Sequence, residues 1–126
     1  MKMHVVSLYI LELIKKIMMM LFNKFNEAFD KGDIVGAAGC FHEDMQMTMH
    51  SNGSSISKQE WLDRFGPMLD KLKREKVRCL YENEDLLVTH SFITFPNGSC
   101  EAVIWVGHKK DGLIISVETG STQIPN

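Results

Sequence analysis

Hydrophobic and polar residues divide the chain into a helical first part and a strand-rich second part. Near the N-terminus, apolar residues recur at spacings of three and four, with charged residues between them, which predicts one long amphipathic helix ending at Gly32. The apolar positions are Leu11, Ile14, Met18, Leu21, Phe22, Phe25 and Phe29. Asp33 is placed to cap a short second helix. Ser57 and Glu60 have the spacing of a capping box, which predicts a third helix that Gly66-Pro67 splits.

The second part consists of runs rich in β-branched and aromatic residues, separated by turn signals. Residues 77–82, 86–95, 100–109 and 113–119 are the predicted strands, and they form an antiparallel meander. Asp111-Gly112 favours a two-residue type I′ hairpin. Helices followed by an antiparallel sheet predict an α+β fold in which the helices pack on one face of a curved sheet.

The stretch FHEDMQMTMH at residues 41–50 alternates with the period of a β-strand. One face carries Met45, Met47 and Met49, and the other carries polar residues with a histidine at each end. Burying the polar face would require partners for five polar side chains, so we expect the methionines to line the interior. His50, at the end of the strand, is still placed to reach the mouth of a pocket.

The meander brings a second set of chemically capable residues together if both Asn97-Gly98 and Asp111-Gly112 form two-residue turns. His90 then faces Trp105, and Trp105 faces Glu118, on one sheet face that Tyr81 also joins. This row is open to three interpretations: a pocket with His90 and Glu118 as acid and base, a dimer interface, or a solvated surface. A three-residue loop with a bulge at Pro96-Asn97-Gly98 would shift the register by one residue and break up the row.

Composition and charge exclude several classes of function. The 126 residues fit one domain, and a net charge of −2 gives no basic field of the kind that nucleic acid attracts. The third helix is expected to end in a basic cluster that faces solvent and offsets the helix dipole; the cluster is Lys71, Lys73, Arg74 and Lys76. No glycine-rich phosphate loop and no metal-binding spacing of histidines or cysteines occur. Three cysteines without a CxxC pair indicate a reducing compartment, and we expect a cytoplasmic protein.

The first 20 residues are interpreted as an extension of the first helix, flexible or not native to the protein, because residues 18–20 are methionines that allow a later translation start. Glu12, Lys15 and Lys16 interrupt the apolar segment, which argues against a signal peptide and a membrane span. Residues 21–126 are expected to form the single domain.

Four local patterns, taken in this order along the chain, resemble the nuclear transport factor 2-like (NTF2-like, or cystatin-like) superfamily and its SnoaL-like polyketide cyclase relatives. The patterns are FNEAFDKGD, AAGCFHEDMQM, SKQEWLDRFGPML and EAVIWVGHKKDGLIISVETGST, within residues 21–125. The resemblance implies a cone of helices over a bent sheet, with a pocket at the wide end. Such proteins include isomerases, dehydratases, cyclases, carriers and dimerisation domains. In ketosteroid isomerase-like relatives, the strand at 41–50 carries a carboxylate base where this chain has Met49.

The expected function is binding of a small, mostly apolar molecule in this pocket, by an isomerase, cyclase or dehydratase that transfers protons without a bound cofactor or metal. The candidate catalytic residues are His90 and Glu118, with His50 as an alternative base. The candidate pocket residues are Met45, Met47, Met49, Trp61, Tyr81 and Trp105. The alternative is a ligand-binding or dimerisation module without catalysis, and a homodimer through the outer sheet face is expected in either case. No membrane and no nucleic-acid partner is expected.

Overall fold

A six-stranded curved sheet is the frame of the molecule, which the computed structural model describes over residues 7–14 and 20–125. The strands are β1 (Phe41–Thr48), β2 (Ser55–Ser57), β3 (Lys73–Glu82), β4 (Leu86–Thr94), β5 (Cys100–Lys110) and β6 (Leu113–Ile124). Their order across the sheet is β2-β1-β6-β5-β4-β3. Neighbouring strands are antiparallel except β1 and β6, which pair in parallel. The predicted α+β class and meander are confirmed.

Residues 7–14 are helical, and within residues 20–125 three α-helices and a 3₁₀ helix accompany the sheet. They are α1 (Phe22–Asp30), α2 (Ile34–Ala38), α3 (Lys58–Phe65) and the 3₁₀ helix η1 (Gly66–Lys71). The capping box at the start of α3 is present, because the Ser57 hydroxyl accepts from the Glu60 amide and the Glu60 carboxylate accepts from the Ser57 amide. The predicted break at Gly66-Pro67 is present, because α3 ends at Phe65 and a 3₁₀ helix starts at Gly66.

The prediction of one long N-terminal helix is wrong. Residues 7–14 are helical, but Met20 and Leu21 are not, and α1 starts afresh at Phe22. Leu11 and Ile14, predicted to be buried, are 54% and 45% exposed. Met18 lies outside the described residues, and the division of the chain at residue 20 stays a prediction.

A buried ion pair explains where α1 begins. The Glu82 carboxylate on β3 accepts hydrogen bonds from the backbone amides of Leu21 and Phe22, which are free at a helix N-terminus. The same carboxylate pairs with the Lys109 ammonium on β5 at 2.7 Å, and the two side chains are 1% and 0% exposed. The Lys109 ammonium also donates to the Asn83 carbonyl at 2.8 Å. The first turn of α1 is therefore attached to the sheet through two strands.

The hydrophobic core lies between the inner sheet face and the helices. Met45 and Met47 are buried there with Phe41, whereas the Asp44 side chain on the opposite face of β1 is 84% exposed. The prediction that the methionine face points inward is confirmed. Among the described residues, no helix has the length and apolar character needed to cross a membrane.

The predicted pairing of His90 with Trp105 and Glu118 is wrong by one residue at each hairpin. Trp105 pairs with Thr89 on one side and Thr119 on the other, whereas His90 pairs with Ile104. The first shift arises because residues 96–98 form a three-residue loop, closed by the Phe95 amide and the Ser99 carbonyl. The second arises from a bulge between β5 and β6 at His108/Lys109, although the two-residue turn at Asp111-Gly112 is present as predicted.

The shifted register moves the predicted residues to opposite sides of the sheet. Trp105 points inward, while His90 and Glu118 occupy positions of the outer face. Tyr81 pairs with Val88, shares that outer face and is 54% exposed. The row proposed from the sequence therefore does not exist as a unit.

Candidate functional site

A cavity of about 440 Å³ lies between helices α1 and α3, the 3₁₀ helix and the inner face of the sheet. Its volume is within the range of small-molecule sites. Most of the wall is apolar and comes from Phe22, Phe25, Phe29, Met47, Met49, Trp61, Phe65, Met68, Leu72, Ile93, Phe95, Val103 and Trp105. The amphipathic pattern of α1 brings its three phenylalanines to this wall, and the alternation that begins in β1 brings Met47 and Met49.

Aromatic contacts fix the shape of this wall. The Phe25 and Trp105 rings have centroids 5.7 Å apart, and Trp61 stacks on Phe65 at 5.5 Å. Phe41 supports Trp61 from below, edge to face, at 4.8 Å. Because these rings restrain one another, the apolar part of the cavity is largely formed before a ligand arrives.

His50 stands at the rim of the cavity in a chain of hydrogen bonds. Its Nδ1 lies 2.6 Å from the Thr119 hydroxyl, and its Nε2 lies 2.8 Å from the Ser121 hydroxyl. The Ser121 hydroxyl donates to the Glu101 carboxylate at 2.8 Å. Since Thr119, Glu101 and His50 all line the cavity, the chain runs along one side of it.

The number of donor protons in this hydrogen-bond chain fixes the direction of each bond when the imidazole is neutral. Ser121 has a single hydroxyl proton, which it gives to Glu101, so it accepts from His50 Nε2–H. Nδ1 of His50 then accepts from the Thr119 hydroxyl. A second proton on the ring would be accommodated at Nδ1 if the Thr119 hydroxyl turns to accept it. The neutral imidazole can therefore take up a second proton and release it again, while both ring nitrogens keep a hydrogen-bond partner.

Arg74 provides a cation at the β3 side of the cavity. Its side chain is only 11% exposed, and its guanidinium lies over the Phe29 ring at 4.7 Å. One N–H donates to the Asn26 side-chain oxygen at 2.9 Å, and Asp30 lies 3.7 Å away. Burial lowers the pKa of Arg74, with Asp30 acting in the opposite direction, and a guanidinium remains charged at neutral pH.

Five of the residues proposed from the sequence line the cavity: His50, Met47, Met49, Trp61 and Trp105. Met45 lies beneath it in the core with no exposed surface. Tyr81, His90 and Glu118, on the outer sheet face, are not among its lining residues. Nδ1 of His90 is buried without a hydrogen-bond partner in the described part of the chain.

Sequence reasoning missed Arg74, Glu101, Thr119 and Ser121. Arg74 was assigned to a solvent-facing basic cluster, but it faces Ile93 across the β3–β4 pair, and Ile93 faces Glu101. The alternation of β3 alone would have separated Arg74 from its neighbours Lys73 and Glu75, which are largely exposed. Glu101 and Ser121 could be linked only with the register of β5 and β6 in hand.

Cysteine chemistry and metal binding gain no support from the site. Burial raises the pKa of the Cys40 thiol, an effect that Lys24 partly offsets, and Cys40 lies in the core. Between residues 7–14 and 20–125, no three acidic, histidine or cysteine side chains are grouped so that they could hold a metal ion.

Comparison with solved structures identifies the fold. An NTF2-like protein of unknown function from Cytophaga hutchinsonii matches with a TM-score of 0.63 and 18% identity, over 81% of this chain and 87% of that one. The chain has the NTF2-like fold. A protein provisionally named a ketosteroid isomerase, from Kribbella flavida, matches with a TM-score of 0.68 and 16% identity, over 84% and 78% of the two chains. A provisionally named polyketide cyclase from Xanthomonas campestris matches with a TM-score of 0.65 and 16% identity, over 79% of this chain and 85% of that one.

No protein-family model and no curated protein sequence matches the chain. At these identities the likeness of the NTF2-like structures establishes the fold alone, so function has to be argued from the side chains of the cavity.

Proposed function

We propose that this NTF2-like chain binds a small, mostly apolar molecule in the cavity and transfers a proton on it through His50. The hydrogen-bond chain from His50 through Ser121 to Glu101 is the observation that carries the proposal. It places an imidazole, which can both accept and donate a proton, at the rim of an apolar chamber, with a carboxylate behind it. Isomerisation, cyclisation and dehydration are all reactions that such a group can assist.

The proposed step starts with the ligand seated among the aromatic rings, with an acidic C–H near His50. Nδ1 takes that proton once the Thr119 hydroxyl turns away from it. The imidazolium then donates from Nε2 to Ser121, whose own proton is held by Glu101. Return of the proton to a different atom of the ligand completes an isomerisation. Only groups of this chain take part, and general acid–base help of this kind contributes a factor of about 10² to 10⁴.

The alternative, a binding or dimerisation module without catalysis, draws on the outer sheet face. His90, Phe92, Ile104 and Val106 occupy positions of that face, and Ile104 is 41% exposed. His90 Nδ1 has no partner within the described residues. An apolar face with an aromatic ring and a donor or acceptor to satisfy suits a second copy of the chain. A homodimer through this face is compatible with catalysis in the cavity.

The catalytic proposal is tested by hydrogen exchange on an apolar ketone. We expect the protein to speed the loss of the α-protons of 2-tetralone in D₂O, measured by NMR, at least tenfold over buffer. His50→Gln, which keeps a side chain of similar length without a titrating group, is expected to lower the protein-dependent rate about 100-fold, the lower limit for losing a general base.

His42→Gln is the matched control, because His42 lies near the start of β1, whereas His50 follows the end of that strand, and His42 is not a lining residue of the cavity. Its exchange rate should equal that of the unchanged protein. Tryptophan fluorescence shows separately whether 2-tetralone binds. If it binds but the unchanged protein does not accelerate the exchange of its α-protons, the proton-transfer proposal is wrong and a binding module is the better description.

A further inference from the structure

Arg74 gives the cavity an anion-binding end that proton transfer at His50 does not use. We infer that the natural ligand carries a carboxylate or a similar anionic group, which the Arg74 guanidinium binds while the apolar body lies among the aromatic rings. The inference rests on the cavity being a ligand site, as proposed above, and it adds the chemical class of the ligand.

The Arg74 guanidinium is held in position, and several of its N–H groups are not used in hydrogen bonds to the described residues. Phe29 covers one of its flat faces at 4.7 Å, which leaves the N–H groups pointing outward in the guanidinium plane. One of the five N–H groups donates to Asn26, and the other donors have no hydrogen-bond acceptor among the described residues. A carboxylate accepts two parallel N–H bonds from such a fork.

Asp30 is a weak competitor for this position. Its carboxylate is 3.7 Å from the guanidinium, beyond hydrogen-bond distance, and its side chain is 64% exposed. Ion pairs with a solvated partner contribute little, so a ligand carboxylate inside the cavity can take the free donors without displacing a strong bond. Asn26, in contrast, holds one N–H and fixes the orientation of the fork.

Glu101, the carboxylate among the lining residues of the cavity, lies two strands away from Arg74. Arg74 and Glu101 both pair with Ile93, on β3 and β5, so their backbones are two strand spacings apart, about 9.5–10 Å. Glu101 is also engaged by Ser121. The separation gives the cavity a cationic end and a proton-transfer end, and an anionic ligand would lie with its carboxylate toward β3 and its reactive carbon toward His50.

Two probes of nearly the same shape, one anionic and one neutral, test this inference. We expect 2-naphthoate to bind at least tenfold more tightly than the neutral 2-naphthamide, as measured by calorimetry. Arg74→Met should abolish this preference by weakening 2-naphthoate while leaving 2-naphthamide nearly unchanged. Lys73→Met removes the same charge from the neighbouring position of β3, where the side chain is 73% exposed, and should retain the preference.

A measurement on the unsubstituted protein tests the same inference if Arg74→Met does not fold. The Nε–H resonance of Arg74 should shift on addition of 2-naphthoate and stay in place with 2-naphthamide. Equal affinity for the two probes, or a preference that persists in folded Arg74→Met, would overturn the anionic-ligand inference and leave the proposed function standing. If neither probe binds, both the inference and the proposed ligand site are contradicted.

Discussion

Glu82 and Lys109 show how strongly two residues can determine the position of a whole wall of the cavity. Their side chains have almost no contact with solvent, yet they carry opposite charges 2.7 Å apart. The Glu82 carboxylate also accepts hydrogen bonds from the Leu21 and Phe22 amides at the start of α1, and these bonds hold that helix over the sheet. A buried pair of this kind is strongly destabilising to break, because the remaining buried charge loses its contact with the opposite charge and water cannot replace that contact.

We therefore expect Lys109→Met and Glu82→Gln each to lower the free energy of unfolding by about 3–5 kcal/mol. The double variant should cost clearly less than the sum of the two, because it removes both buried charges together. Urea unfolding of all four proteins completes the cycle. The exposed pair Lys73–Glu75 on β3 is the control, and its removal should cost less than about 1 kcal/mol. Additive effects at Glu82 and Lys109 would show that the pair does not act as a unit.

Single residues could be assigned from the sequence where a local period determines the side they face. The alternation of residues 41–50 placed Met45 and Met47 inside and left His50 at the rim, which is their position in the structure. Arg74 was misassigned because a run of basic residues was treated as one surface, although β3 turns alternate residues to opposite faces.

At the scale of elements, most helices and strands of the domain were predictable, while the short β2, the first residues of β3 and the mutual register of the strands were not. Turn residues and β-branched runs identify hairpins locally. One loop residue at 96–98 and one bulge at His108/Lys109 were enough to move His90 and Glu118 to the outer face. The prediction of a long N-terminal helix was wrong for a related reason. The start of α1 at Phe22 depends on Glu82, which is 60 positions away along the chain.

The outer sheet face leads to a prediction about assembly. We expect a homodimer at micromolar concentration, and Ile104→Asp should convert it to monomer, because it places a charge among apolar outer-face residues. Val35→Asp makes the same type of change at a 78% exposed position on α2 and should leave the dimer intact. Sedimentation velocity distinguishes the species. A monomeric parent protein, or a dimer that tolerates Ile104→Asp, would show that this face is not the interface.

For the whole molecule, the order of elements predicted an NTF2-like cone, and comparison of the structures confirms that fold. The chemistry of the cavity could not be predicted in the same way. Arg74, Glu101 and Thr119 come from three strands, and they line one chamber only because of the register and curvature of the sheet. The fold follows from local patterns, while the site depends on contacts between residues distant in sequence.

A crystal structure of the complex with 2-naphthoate tests the central claim most directly. The rings should lie between α1 and the inner sheet face, in contact with Phe25 and Trp105, and the carboxylate should lie within hydrogen-bond distance of Arg74. The far edge of the rings should then point toward His50. A probe bound on the outer sheet face, or one that enters the cavity with its carboxylate against His50 and leaves Arg74 uncontacted, would contradict this account.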